Sequence, residues 1–92
     1  MLLPARTAVL NYLYKVGKAD INQIMEALKP DYGNERQFTR ERYLDHVMSL
    51  EANGLLVKSG YGLDGDGELS IEFEINEDGR ATVEKYIPAV FR

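Results

Sequence analysis

Five side chains able to grip an anion fall close together in the chain: Arg36, Gln37, Thr39, Arg40 and Arg42. A guanidinium fork matches the paired acceptors of a phosphate, or of guanine O6 and N7. A glutamine amide matches adenine in the same two-point manner. A threonine hydroxyl beside free backbone N–H groups can hold a phosphate. Residue types and spacing therefore suit a contact with nucleic acid, with Lys18 and Lys58 as secondary phosphate candidates. The energetics lean the same way. A positive charge in the first turn of a helix opposes the helix dipole by about 0.3–1 kcal/mol. Arg40 and Arg42 both stand in such a turn, with Glu41 between them as a partial offset. The competing reading is that these arginines reach Glu35, Glu41 or Asp45 as surface ion pairs, each worth little.

Other chemistry is sparse. His46 is the one histidine, expected part-way along a helix and to the side of its apolar stripe, with no catalytic partner nearby. Ser49, Ser59 and Ser70 have no neighbouring base. The absence of cysteine excludes disulfides, thiolate metal sites and cysteine catalysis. Gly60-x-Gly62 and Gly65-x-Gly67 are not followed by a helix that would aim N–H groups at a phosphate. The run Asp64-Gly65-Asp66-Gly67-Glu68 invites a calcium reading. The positions where a calcium loop needs Gly and Glu are, however, Leu69 and Ile75. A hairpin turn fits better, because Asp-Gly supplies positive φ. No enzyme activity and no cofactor are expected.

The elements that must position the arginine cluster can be read from spacing. Pro4 to Val16 forms a first helix with Val9, Leu10, Leu13 and Val16 on one stripe, and Gly17 stops it. Asp20 with Gln23 makes a capping box for a second helix, whose Ile21, Ile24, Met25 and Leu28 face inward and which ends before Pro30. Turn chemistry follows from Lys29 to Gln37. Thr39 is preferred over Asn34 as cap of a third helix running to Asn53, because it sets Phe38 against Tyr43 as a hydrophobic staple. Leu44, Val47, Met48 and Leu50 are its expected buried side. Asn53-Gly54 ends it, and the direct passage from helix to strand there calls for positive φ at Gly54. A short strand, Leu55 to Lys58, leads into a Gly-rich acidic loop. In the next strand Leu69, Ile71, Phe73 and Ile75 alternate toward the core, while Ser70, Glu72 and Glu74 face water. Asn76 caps a last helix, Glu77 to Ile87, that Pro88 terminates.

Three helices, a hairpin and a helix is the order of a winged helix-turn-helix domain. Leu50-Glu51-Ala52-Asn53-Gly54-Leu55-Leu56 resembles the motif that closes the third helix in MarR- and PadR-type regulators. Phe73-Glu74-Ile75-Asn76-Glu77-Asp78-Gly79-Arg80 resembles their strand-to-helix junction, and Ala8 to Ile24 their opening pair of helices. The resemblance implies an α+β fold with a three-helix core, a two-stranded wing and a C-terminal helix. It also implies a small transcriptional regulator that reads double-stranded DNA with its third helix.

Ninety-two residues suit one domain, 1–92, with a single small core. No apolar run is long enough to span a bilayer, no basic–apolar leader opens the chain, and a cytoplasmic protein is the default expectation. Charge is split. Residues 1–60 carry eight basic and seven acidic groups, net +1, whereas residues 61–92 carry three and eight, net −5. An acidic wing with Asp64, Asp66 and Glu68 would be repelled by phosphates. That makes a protein-interaction module docking a basic protein at those carboxylates the rival to DNA binding. Tyr86, Ile87, Val90 and Phe91 exceed what one short helix needs, and suggest either a homodimer interface or, for Val90 and Phe91, a return over the chain's own core.

Overall fold

The structure is a computed structural model, and it describes residues 2–63 and 66–92. Its elements are α1 (Ala5–Val16), β1 (Lys18–Asp20), α2 (Ile21–Tyr32), α3 (Arg40–Ala52), β2 (Leu56–Leu63), β3 (Leu69–Ile75) and α4 (Glu77–Tyr86). The result is a mixed α+β fold of four helices and one three-stranded antiparallel sheet, ordered β1-β3-β2.

The sheet has one strand more than the sequence suggests. Lys18-Ala19-Asp20 links α1 to α2 as a strand pairing with Glu74, Phe73 and Glu72. Three residues are too few to show alternation, and none is β-branched, so only the tertiary partner reveals it. Gly17 starts this link at φ 88°, its N–H donating to Leu13 O at 2.7 Å and its carbonyl accepting from Ile75 N–H at 3.0 Å. The helix stop is thus also a sheet contact.

The caps form as their chemistry requires. Gln23 N–H donates to Asp20 Oδ1 at 2.8 Å, and Asp20 N–H donates to the Gln23 side chain at 2.9 Å. Thr39 Oγ1 accepts from Arg42 N–H at 3.1 Å, and Asn76 Oδ1 from Gly79 N–H at 2.8 Å. Contrary to expectation, α2 does not end before Pro30 but carries it inside and runs on to Tyr32. Tertiary burial of Tyr32 outweighs the one backbone hydrogen bond that proline cannot donate.

One core collects Val9, Leu10, Leu13, Ile21, Ile24, Tyr43, Val47, Leu50, Leu56, Phe73, Ile75, Val83 and Ile87. Two assignments on α3 change. Tyr43 is buried, whereas Met48, expected inside, is 45 % exposed. The staple rotates the helix so that Tyr43 lies under Phe38, with ring centroids 5.1 Å apart. Val16 is also exposed, at the last position of α1. Tyr12 and Tyr14 are both half-buried against the core, and Tyr14 OH donates to Glu84 Oε2 at 2.8 Å.

The hairpin differs most. Gly60 to Leu63, expected in a loop, continue β2 past a bulge at Ser59. Along β3 the alternation holds for Phe73 and Ile75 but reverses farther out: Leu69 is exposed and Ser70 buried. The strands simply outrun the core. The face that buries Phe73 leaves Leu69 exposed, while Ser70 is buried on the other face beside Asp20, Gly60, Gly62 and Glu72. At the C-terminus Ile87 is a core residue and Phe91 packs partly against the core, so only part of the expected dimer face lies at the surface. Asn11 Nδ2 ties this segment down by donating to Phe91 O at 2.9 Å. Tyr86 and Val90 do stand exposed.

Candidate nucleic-acid interface

The turn between α2 and α3 is held by its own backbone. Glu35 N–H donates to Tyr32 O, Phe38 N–H to Glu35 O and Thr39 N–H to Gln37 O. That chain of bonds fixes Arg36 and Gln37 next to the helix that starts at Arg40. Arg36, Gln37, Thr39, Arg40 and Arg42 are all exposed, on one turn and the first turn of one helix. The structure thus brings together all five residues of the cluster.

Their electrostatic state is the informative part. Among the described residues, no carboxylate lies within ion-pair distance of Arg36, Arg40 or Arg42. Arg40 Nη1 donates to a neutral group, Asn22 Oδ1, at 2.7 Å. Asp45, the expected partner one turn along from Arg42, is taken by Arg6 of α1, whose Nη2 lies 3.5 Å from Asp45 Oδ2. Three positive charges therefore stand at the end of a helix whose own dipole is positive there. Glu41, between Arg40 and Arg42, and Glu35, next to Arg36, are the nearest counter-charges in sequence. An open depression beside them on the outer side of α3 is lined by Thr39, Glu41, Arg42, Leu44, Asp45 and Met48.

Sequence alone does not place Arg6 and Asn22 on this surface. Arg6 lies far from α3 in the chain, and nothing local marks it as the residue that occupies Asp45. Arg6 Nε also donates to His46 Nδ1 at 3.2 Å. Nδ1 must be unprotonated to accept, which leaves the proton on Nε2. Burial pushes the His46 pKa below its ordinary 6.5, the Arg6 guanidinium pushes it the same way, and Asp45 opposes them. His46 is thus a neutral packing partner, edge-on to the Tyr43 ring.

Lys18 and Lys58 are not brought into the cluster as free charges. Lys18 Nζ lies 3.8 Å from Glu72 Oε1, and Lys58 Nζ lies 3.8 Å from Glu51 Oε1. Glu51 sits in the last turn of α3, and nine residues separate it from Arg42, about 14 Å along the helix axis. Lys58 therefore belongs to the far end. On the β2–β3 hairpin, Asp66 and Glu68 are exposed, and Asp64 lies outside the described residues. No group of three or more metal-binding side chains, and no helix long and apolar enough to cross a membrane, occurs among the described residues. No protein-family model matches the chain, and no match is found among curated proteins or solved structures.

Proposed function

We propose that the chain is a winged helix-turn-helix domain that binds double-stranded DNA through the N-terminal end of α3. In this reading α1, α2 and α3 are the helical core, β2 and β3 are the wing, and the first turns of α3 enter the major groove. Arg36, Gln37, Arg40 and Arg42 contact bases or phosphates, and Thr39 sets the helix on the backbone. The observation that carries the reading is the exposure of three arginines at a helix N-terminus with no carboxylate in ion-pair range among the described residues. That arrangement costs the folded chain free energy unless an anion meets it. Lys18 and Lys58 stay secondary candidates, each beside a carboxylate.

Two copies would present two such tips to two half-sites. Tyr86 is exposed and borders a groove lined also by Arg6, Leu10, Leu50, Leu55 and Thr82, and this is where we place the pairing of copies. The test is binding of randomised duplexes by fluorescence anisotropy over a salt series. Affinity should fall steeply with salt through counterion release. Arg40→Ala with Arg42→Ala should weaken it, while Asp66→Asn with Glu68→Gln should leave it equal or improved. Binding that ignores the arginine pair would overturn the proposal.

A further inference from the structure

The outer half of the wing carries an apolar stripe that the fold does not use. Tyr61 is 69 %, Leu63 74 % and Leu69 66 % exposed. Register pairs Tyr61 with Ile71 and Leu63 with Leu69, so the four side chains share one face of the hairpin. It is the face that buries Phe73 and Ile75 nearer the helices. Single exposed apolar residues are ordinary, but cross-strand pairs of them at the end of a projecting hairpin are the mark of a contact surface. The stripe also borders an open edge: β2 lies at the end of the β1-β3-β2 order, so among the described residues no strand pairs with its outer backbone. An edge of this kind accepts an added strand.

Charge decides what can lie there. Residues 61–75 include five carboxylates and no Lys or Arg, and Glu77 and Asp78 follow directly. Lys18 of β1 lies beside one of these carboxylates, Glu72, at 3.8 Å. A DNA phosphate backbone is repelled by this hairpin. So is the same hairpin of a second copy, which would set five negative charges against five. The complementary occupant is basic, and the stripe requires it to be apolar on one side.

We infer that the wing docks an extended segment of another protein in which Lys or Arg alternates with aliphatic or aromatic residues. Its apolar side chains cover Tyr61, Leu63 and Leu69, and its cations face the wing carboxylates. The inference is independent of the duplex reading, since it uses neither α3 nor its arginines.

The experiment pans a phage-displayed random dodecapeptide library on the full-length chain, with subtraction against the Leu63→Ser, Leu69→Ser variant. Both leucines are exposed, so the variant should keep its fold, which circular dichroism verifies. Peptides that survive subtraction should be net positive, with basic and apolar residues alternating along them. The best of them should bind wild type at least about tenfold more tightly than the leucine variant, a difference of about 1.4 kcal/mol. Asp66→Asn with Glu68→Gln should weaken binding and flatten its salt dependence, while Arg40→Ala with Arg42→Ala should leave it unchanged. The inference is overturned if no sequence survives subtraction, or if the survivors carry no net positive charge. It is equally overturned if sedimentation shows wild type as a dimer that the leucine variant dissociates, or if that variant loses duplex binding. Those last two outcomes would give the stripe to a second copy or to DNA.

Discussion

If α3 binds a duplex as proposed, replacing Arg40 and Arg42 by alanine should weaken that binding while leaving the fold little changed or more stable, because both charges oppose the α3 dipole. Each phosphate neutralised contributes a slope of about −0.9 to the dependence of log K on log salt. With Arg36, Arg40 and Arg42 all engaged, the slope for one module is about −2.7. Affinity then drops roughly 40-fold between about 50 and 200 mM salt. With Arg36 alone the slope is about −0.9 and the same interval costs only about 3.5-fold. Stability should move the other way. Removing Arg42 relieves about 0.3–1 kcal/mol of opposition to the α3 dipole. Removing Arg40 relieves a similar amount, but forfeits its exposed hydrogen bond to Asn22, worth about 0.5–1 kcal/mol. The sum for the double variant runs from a loss of about 0.4 to a gain of about 1.5 kcal/mol, centred on a gain of about 0.5 kcal/mol or roughly 2–4 °C in Tm for a domain of this size. Anisotropy across the salt series and urea unfolding of the same preparations measure both. A double variant with the wild-type slope, or one destabilised by more than about 1 kcal/mol, refutes the argument: the arginines would then be holding the structure rather than a polyanion.

Gly79 packs α4 against the β2 entry so closely that an added Cβ would lie 2.3 Å from Leu55 O and 2.6 Å from Ile75 Cγ1. Gly79→Ala should therefore cost about 1–3 kcal/mol in urea unfolding, as overpacking against backbone does. Gly54 has φ 80°, but a Cβ added there would meet nothing within 4 Å, so the cost of Gly54→Val is conformational alone. Asn at the same site should recover most of the stability that Val loses, since Asn tolerates the left-handed region. His46 titrates below 6.5 in the folded chain because of burial and Arg6. The unfolded chain consequently binds the proton first as pH falls, and stability drops from about pH 6.5 down to the folded value. His46→Asn should flatten that part of the stability profile, and an unchanged profile would remove His46 from the account. A combined Arg40→Ala, Arg42→Ala, Leu63→Ser, Leu69→Ser chain should unfold within about 1 kcal/mol of wild type, since neither surface supports the core and distant sites add.

The parts of the fold that sequence reveals are those decided locally. Asp20, Thr39 and Asn76 act as caps because an oxygen three residues before a free N–H is a local arrangement. Gly17 and Gly54 take positive φ at helix ends for the same reason. What escapes is decided by distant partners. β1 exists because β3 lies beside it. Pro30 stays helical because Tyr32 is held in the core. Leu69 alternates correctly with Ile71 and Phe73, yet is exposed, because alternation assigns a face and cannot say how far the core extends under it. The arginine cluster is legible as a group of charges at a helix start. Its lack of a carboxylate partner is not, since that depends on Arg6 reaching Asp45 from another helix.

The Arg6–Asp45 pair bears on how the two surfaces of this chain are related. Asp45 is the acidic group one turn from Arg42, and left to itself it would be the natural local counter-charge. Its engagement by Arg6 leaves the tip of α3 positive with no change in net charge, because one arginine is tied up so that another stays open. The wing reaches its opposite character differently, by excluding every Lys and Arg from residues 61–75. Solubility alone requires neither device, since interspersed charges of both signs would serve it better than two segregated fields. Segregation has a physical consequence only when ligands of opposite charge approach the same molecule: each is steered to its own surface and repelled from the other. A domain that holds DNA at a helix tip while a basic protein segment lies along its wing needs that segregation, because the segment would otherwise compete for the same phosphates.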